Sequence, residues 1–202
     1  MNFRHQRDRC GNQRGMSMLE MMLVVGISGV VTAIAIPAGP TAVRGYKLAG
    51  HAQAISYQVS LAKMRAASSF SRARMYVDFE LGTYRLEVWN KTASTWTTDG
   101  PVEQLLQPIG FGFGAAGEPP PDTQGVIAQP APCLDAGGAA IPNSGCVMFN
   151  SRGIPIDSTG AATGANAVYL TDGTAVYATT VSATGMTQLW WTPNKVISWV
   201  RQ

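Results

Sequence analysis

Two places in the chain put charged or reactive side chains where ordinary packing does not ask for them. The first is Glu20, inside the run RGMSMLEMMLVVGISGVVTAIAIP from Arg14 to Pro37. From Met21 to Val43 no charged residue follows it. A carboxylate near the middle of a bilayer costs roughly 2.5 kcal/mol or more. The chemistry open to such a group is electrostatic, pairing with a cation at low dielectric. Its bland alternative is a snorkelling or protonated glutamate near an interface. The second place is the pair Cys133 and Cys146, at the end of a Gly/Pro-rich stretch from Gly114 to Gly145. An even pair in the body suggests one disulfide in an oxidising compartment, against two free buried thiols. Closing that loop stabilises by about 3 kcal/mol in the chain-entropy view. Cys10 stands apart, in a basic N-terminal segment.

No catalytic constellation accompanies these residues. Beyond the first fifteen positions His51 is the only histidine. It lies on a helical pattern, where a lone histidine is ordinarily a surface residue. No Cys/His cluster has metal-ligand spacing, so no metal or cofactor is expected. No G-x-S-x-G marks a nucleophile. GFGFGAAG, from Gly110 to Gly117, lacks the Lys-Ser/Thr ending of a phosphate loop and reads as flexible chain. Asn90-Lys91-Thr92 fits a glycosylation sequon and is read as a chance match. Trp190, Trp191 and Trp199 read as core or interface residues rather than a sugar platform. The chain is expected not to be an enzyme.

Charge is unevenly placed among the 202 residues. Residues 1–15 hold Arg4, Arg7, Arg9 and Arg14 against Asp8 alone, which accounts for the whole net charge of +3. From Met16 onward basic and acidic side chains balance. The basic character therefore belongs to a leader and argues for no nucleic-acid partner of the body.

The elements that must position these residues follow from periodicity. Met16 to Ile36, taken as a helix, would reach about 30 Å, the thickness of a bilayer core. The leader arginines would stay cytoplasmic and the body would face the periplasm. Pro37 and Pro40 predict a kink or break. Beyond them Leu48, Ala52, Ile55, Val59, Ala62, Ala66 and Phe70 recur at spacings of three and four. That is the apolar stripe of an amphipathic helix from about Thr41 to Ser69. RMYVDFELGTYRLEVWN then alternates as a hairpin turning at Leu81-Gly82. PVEQLLQPIGFGF is a weaker strand signal, and 114–145 a long loop. CVMFN, AVYLT, AVYATTVS, TQLWW and KVISWV complete about seven strands. The fold class is α+β: a long helix, membrane-spanning in its first half and amphipathic in its second, packed on antiparallel sheet. The expected domains are 1–15, a removable leader; 16–40, a transmembrane helix; and 41–202, with helix 41–70 and a β-rich head 72–202.

Three readings compete for the N-terminus. A secretory signal peptide with Ala33-Ile34-Ala35 as its cleavage site would precede a soluble β-rich domain. A plain membrane anchor is the second. Neither gives Glu20 a purpose. The third follows from Gly15 and MSMLEMMLVVGISGVVTAIAIP, which resemble the type IV prepilin signature. The resemblance implies a prepilin peptidase that cuts between Gly15 and Met16 and N-methylates Met16. Glu20 then stands fifth and Pro37 twenty-second in the mature chain, as in that family. Met16 departs from the usual phenylalanine. Cleavage leaves an amine on Met16, which Glu20 could neutralise in its own or an adjacent subunit, making Glu20 a register device for assembly.

The body carries a second resemblance. LAKMRAASSFSRARMYVDFE, VMFNSRGIPID and TTVSATGMTQLW resemble segments of the GspH/FimT group of pilin-like proteins. This implies a minor pilin or minor pseudopilin of a type IV pilus or type II secretion pseudopilus, held in the inner membrane until it joins other pilin subunits. Some FimT-like proteins take up DNA through a basic motif after the closing glycine. Here Gly185 is followed by Met186-Thr187-Gln188-Leu189, and only Lys195 and Arg201 follow Arg152 as bases. DNA affinity needs several cations on phosphate, so a nucleic-acid partner is not expected.

Overall fold

A computed structural model describes residues 16–194 and 198–202, without the side chains of 34–42. The chain divides into two compact units, Met1–Ala42 and Val43–Gln202. A single helix, α1, spans Met18–Ser68. It continues through Pro37 and Pro40, so the expected break is not there. A proline removes one donor, and the turns on either side keep their own bonds. The side chains of both prolines lie outside the described residues.

In the first unit Ser17 caps the helix. Its hydroxyl accepts from the Leu19 amide at 3.3 Å, and its carbonyl accepts from the amides of Glu20 and Met21 at 2.9 and 3.1 Å. Ser17-Met18-Leu19-Glu20 has the spacing of a capping box, with the acid in the positive first turn. Among the described residues no helix is long and apolar enough to cross a membrane. The expected span Met16–Ile36 includes Ile34–Ile36, whose side chains are not described.

The second unit begins with the amphipathic part of α1. Leu48, Ala52, Ile55, Val59, Ala62 and Ala66 are all buried, as their spacing predicts. Phe70, expected on the same stripe, is exposed instead. It ends the helix in the left-handed region with φ 48°. The Phe70 amide donates to the Ala67 carbonyl and the Ser71 amide to the Ala66 carbonyl. That is a Schellman cap, which swings this side chain off the core face.

Eleven strands follow among the described residues: β1 Ala73–Asp78, β2 Thr83–Asn90, β3 Thr95–Thr98, β4 Glu103–Gln104, β5 Gly110–Phe111, β6 Ser144–Phe149, β7 Pro155–Ile156, β8 Asn166–Thr171, β9 Ala175–Val181, β10 Thr187–Pro193 and β11 Val200–Arg201. The first sheet runs β3-β2-β1-β6-β7, with β4 also on β2; the second runs β11-β10-β9-β8-β5. Every pairing is antiparallel. The helix stripe shares one core with Met75, Val77 and Leu86 of the first sheet and Val168, Leu170 and Val181 of the second. The β1–β2 hairpin turns through Phe79–Gly82, where Asp78 Oδ1 accepts from the amides of Glu80 and Leu81 and Gly82 takes φ 65°. β4, β5, β7 and β11 are two residues each, too short to show a period of two in sequence.

Lys63 fastens the helix to both sheets. Its ammonium donates to the Gly185 carbonyl at 3.0 Å. Its stem lies against Gly153, in the turn between β6 and β7, and Gly185, in the turn between β9 and β10. Gly185 has φ 75°, and a Cβ there would stand 2.7 Å from the Gly153 carbonyl oxygen. Gly185→Ala should therefore cost about 1–3 kcal/mol from backbone strain, before the clash is added. Gly160→Ala is the control, with φ 89° but open space around the new methyl. Urea denaturation should show the larger loss at Gly185; equal losses would mean that the contact with Gly153 has no energetic weight.

Candidate functional site

Glu20 stands in the first turn of α1, surrounded by apolar side chains that have nothing to pack on. Met18, Leu19, Met22, Val25 and Val30 are each more than half exposed. Within its own unit this segment presents a carboxylate on an otherwise apolar, unburied helix. Met16 is likewise exposed. Gly15 and Cys10 lie outside the described residues, and so does the side chain of Pro37.

The cysteines form the second candidate feature. Cys133 and Cys146 are bonded to each other, with Cα atoms 5.0 Å apart. Cys146 is in β6, so the bridge pins the preceding loop to the first sheet. The Ile141 amide donates to the Cys133 carbonyl, and the Cys146 amide to the Ala131 carbonyl. The loop expected over 114–145 is thus ordered by local bonds. Midway along the loop Gln129 bonds to β8: Nε2 donates to the Tyr169 carbonyl at 3.0 Å and Oε1 accepts from the Tyr169 amide at 3.1 Å. The Tyr169 hydroxyl donates to Gln124 Oε1 at 2.7 Å. Burial pushes the Tyr169 phenol well above its ordinary range. Trp190 and Trp199 pack in the same small cluster around Tyr169, and their ring N–H groups donate to Thr180 Oγ1 and the Glu118 carbonyl.

Sequence reasoning missed a charged cluster on the outer face of the first sheet. Arg74 of β1 and Glu87 of β2 are opposite one another in the hairpin register. Their side chains are only 4% and 6% exposed, and Arg74 Nε donates to Glu87 Oε2 at 2.7 Å. Arg85 Nε donates to Glu87 Oε1 at 2.8 Å. Arg74 Nη1 also reaches the Leu134 carbonyl in the disulfide loop at 2.6 Å. Its guanidinium lies 3.9 Å from the centroid of Trp96, which meets Trp89 edge to face. Burial lowers the Arg74 pKa, and the Glu87 charge opposes that shift. The two-residue turn expected at Leu81-Gly82 would pair Arg74 with Trp89; the four-residue turn Phe79–Gly82 shifts the register by two and sets Arg74 across from Glu87. Either register leaves the two residues on one face; what the sequence did not show is the loop that covers it.

Other marked residues have local uses. Asn90 Oδ1 accepts from the amides of Thr92 and Ala93, closing the β2–β3 turn. His51 Nε2 meets the Leu106 amide at 3.4 Å; burial lowers its pKa, with nearby Glu103 opposing. No helix follows 110–117, and the Ala115 amide is taken by Asn194 Oδ1. Arg201 is exposed in β11, and Lys195 lies outside the described residues. Among the described residues no group of His, Cys, Asp and Glu is placed to hold a metal ion.

The structure thus defines an α+β protein with a long N-terminal helix, acidic in its first turn, ahead of a two-sheet head. Residues 10–36 match the family described as the prokaryotic N-terminal methylation motif. In that segment the chain resembles type IV pilin-like proteins. A comparison with curated proteins gave no match. Among solved structures the chain is similar to the minor pseudopilin EpsH from the Type 2 Secretion System of Vibrio cholerae. Identity is 11% and the TM-score 0.44, over 74% of this chain and 99% of that one.

Proposed function

We propose that the chain is a structural subunit, a minor pilin or minor pseudopilin, of a type IV pilus or type II secretion pseudopilus. In this reading a prepilin peptidase removes residues 1–15 and methylates Met16. Met16 to Pro40 holds the subunit in the inner membrane as a single pass, with the rest in the periplasm. Assembly then moves this helix from lipid into a bundle of pilin helices. The observation that carries the reading is the methylation motif over residues 10–36. The exposed apolar side chains from Met18 to Val31 support it, because an isolated soluble helix would not leave them in water. Glu20 then has a partner, the new amine of Met16, and two costly charges become one neutral pair.

Processing tests this directly. The mature protein should begin at Met16, with the mass of a methylated amine, and should lack Cys10. Replacing Gly15 with a bulky residue should leave the leader attached, since glycine admits close approach of a peptidase to the backbone. A mature terminus at Ile36 would sink the proposal and favour a signal peptidase.

A further inference from the structure

The outer face of the first sheet holds a cavity of about 500 Å³. It is lined by strand residues on one side and by the disulfide loop on the other. A volume of this size is typical of small-ligand pockets.

One cation in its lining, the exposed Arg72, is open to a ligand. Arg72 has no carboxylate partner among the described residues; its guanidinium is held 4.7 Å from the Trp89 centroid and 5.7 Å from that of Trp96. Arg74, by contrast, is already committed to Glu87 and Leu134. Asn166 lines the same cavity, and its Nδ2 is buried without a hydrogen-bond partner. That donor is closed off by its neighbours, so Asn166 bounds the cavity without reaching a ligand. Met148 and Ile156 add an apolar wall.

We propose that this cavity binds an apolar molecule ending in a carboxylate. Arg72 takes the carboxylate, its planar fork held in place by the tryptophan faces. The body of the ligand lies along Met148 and Ile156. A doubly charged phosphate fits less well, because Asp135 and Asp157 also line the cavity. Hydrogen bonds from the Thr159 hydroxyl and neighbouring amides keep Asp157 ionised, holding its pKa below the ordinary value. A stacked sugar fits less well too, since Arg74 sits on Trp96 and Arg72 on Trp89. The carboxylate could come from the C-terminus of a peptide or from a small organic acid.

The test is a titration of the full chain in nanodiscs, followed by tryptophan fluorescence. The probes are phenylpropionate, a tripeptide ending in leucine, the amide of that tripeptide, and inorganic phosphate. At least one acid should bind, the amide at least about tenfold more weakly for loss of the charged hydrogen bonds. Phosphate should give no saturable change. Binding of the peptide alone identifies a peptide terminus; equal or tighter binding of phenylpropionate identifies a small acid. Arg72→Gln should lose about tenfold in affinity for the acid at an unchanged melting temperature. The proposal is overturned if acid and amide bind alike, if phosphate binds as well as either acid, if neither acid binds at about 10 mM, or if Arg72→Gln binds as wild type does.

Discussion

Glu20→Gln is expected to enter the membrane, to be cut after Gly15, and yet to be nearly absent from sheared filaments. The argument turns on a difference in sign. If the carboxylate merely happened to lie in the membrane, its removal would be neutral or would favour insertion, since it takes away a costly charge. If Glu20 pairs with the Met16 amine, glutamine strands that amine in a low-dielectric bundle. Breaking a buried ion pair by removing one partner costs about 3–5 kcal/mol. The helix start itself survives, because Ser17 supplies the cap and glutamine suits the third position of a capping box. Subunits recovered from membranes and from filaments should be compared at equal expression. Normal incorporation of the glutamine variant would mean that the carboxylate does not set the register.

The second large effect belongs to the head. Glu87→Gln should lower stability by about 3–5 kcal/mol, because it leaves the buried Arg74 without its carboxylate. For a domain of this size that is roughly 6–20 °C in melting temperature. Arg85 loses the same partner, but it keeps access to water and contributes less. Removing the charge on both sides should be milder: Arg74→Met with Glu87→Leu restores most of the loss, as a hydrophobic pair can replace a buried ion pair. The double variant still forfeits the bond to the Leu134 carbonyl. A loss below about 1 kcal/mol for the single variant, the scale of a surface pair, would show that this cluster is wetter than its burial implies.

Much of the α+β fold was legible because its elements are amphipathic on one side. Leu48 to Ala66 reads as a helix face since a period of 3.6 brings those residues onto one line, and all six are buried. The hairpin reads from its alternation, and strands β6 and β8 to β10 from short apolar runs between turn residues. Phe70 was misread because spacing alone does not reveal a left-handed residue, and a phenylalanine there runs against the usual glycine. The two-residue strands are defined by their neighbours rather than by their own pattern.

At the candidate sites the division falls the same way. The sequence alone determined the spacing from Gly15 to Glu20 and Pro37, since positions along one short segment are local in the chain. It also suggested the pairing of Cys133 with Cys146, which are bonded in the structure. Tertiary structure decided what covers the outer face of the first sheet. Alternation separated Tyr76 from Met75 and Val77, and Glu87 from Leu86 and Val88, without saying which face meets water. The loop drawn over the outer face by the Cys133–Cys146 bridge has no period, so nothing in its composition announces where it lies. Once it is in place, Arg74 and Glu87 lose solvent and must pair, and Arg72 and Asn166 are left lining a cavity. Burial depends on both partners of a contact, and a residue's own pattern describes only one of them.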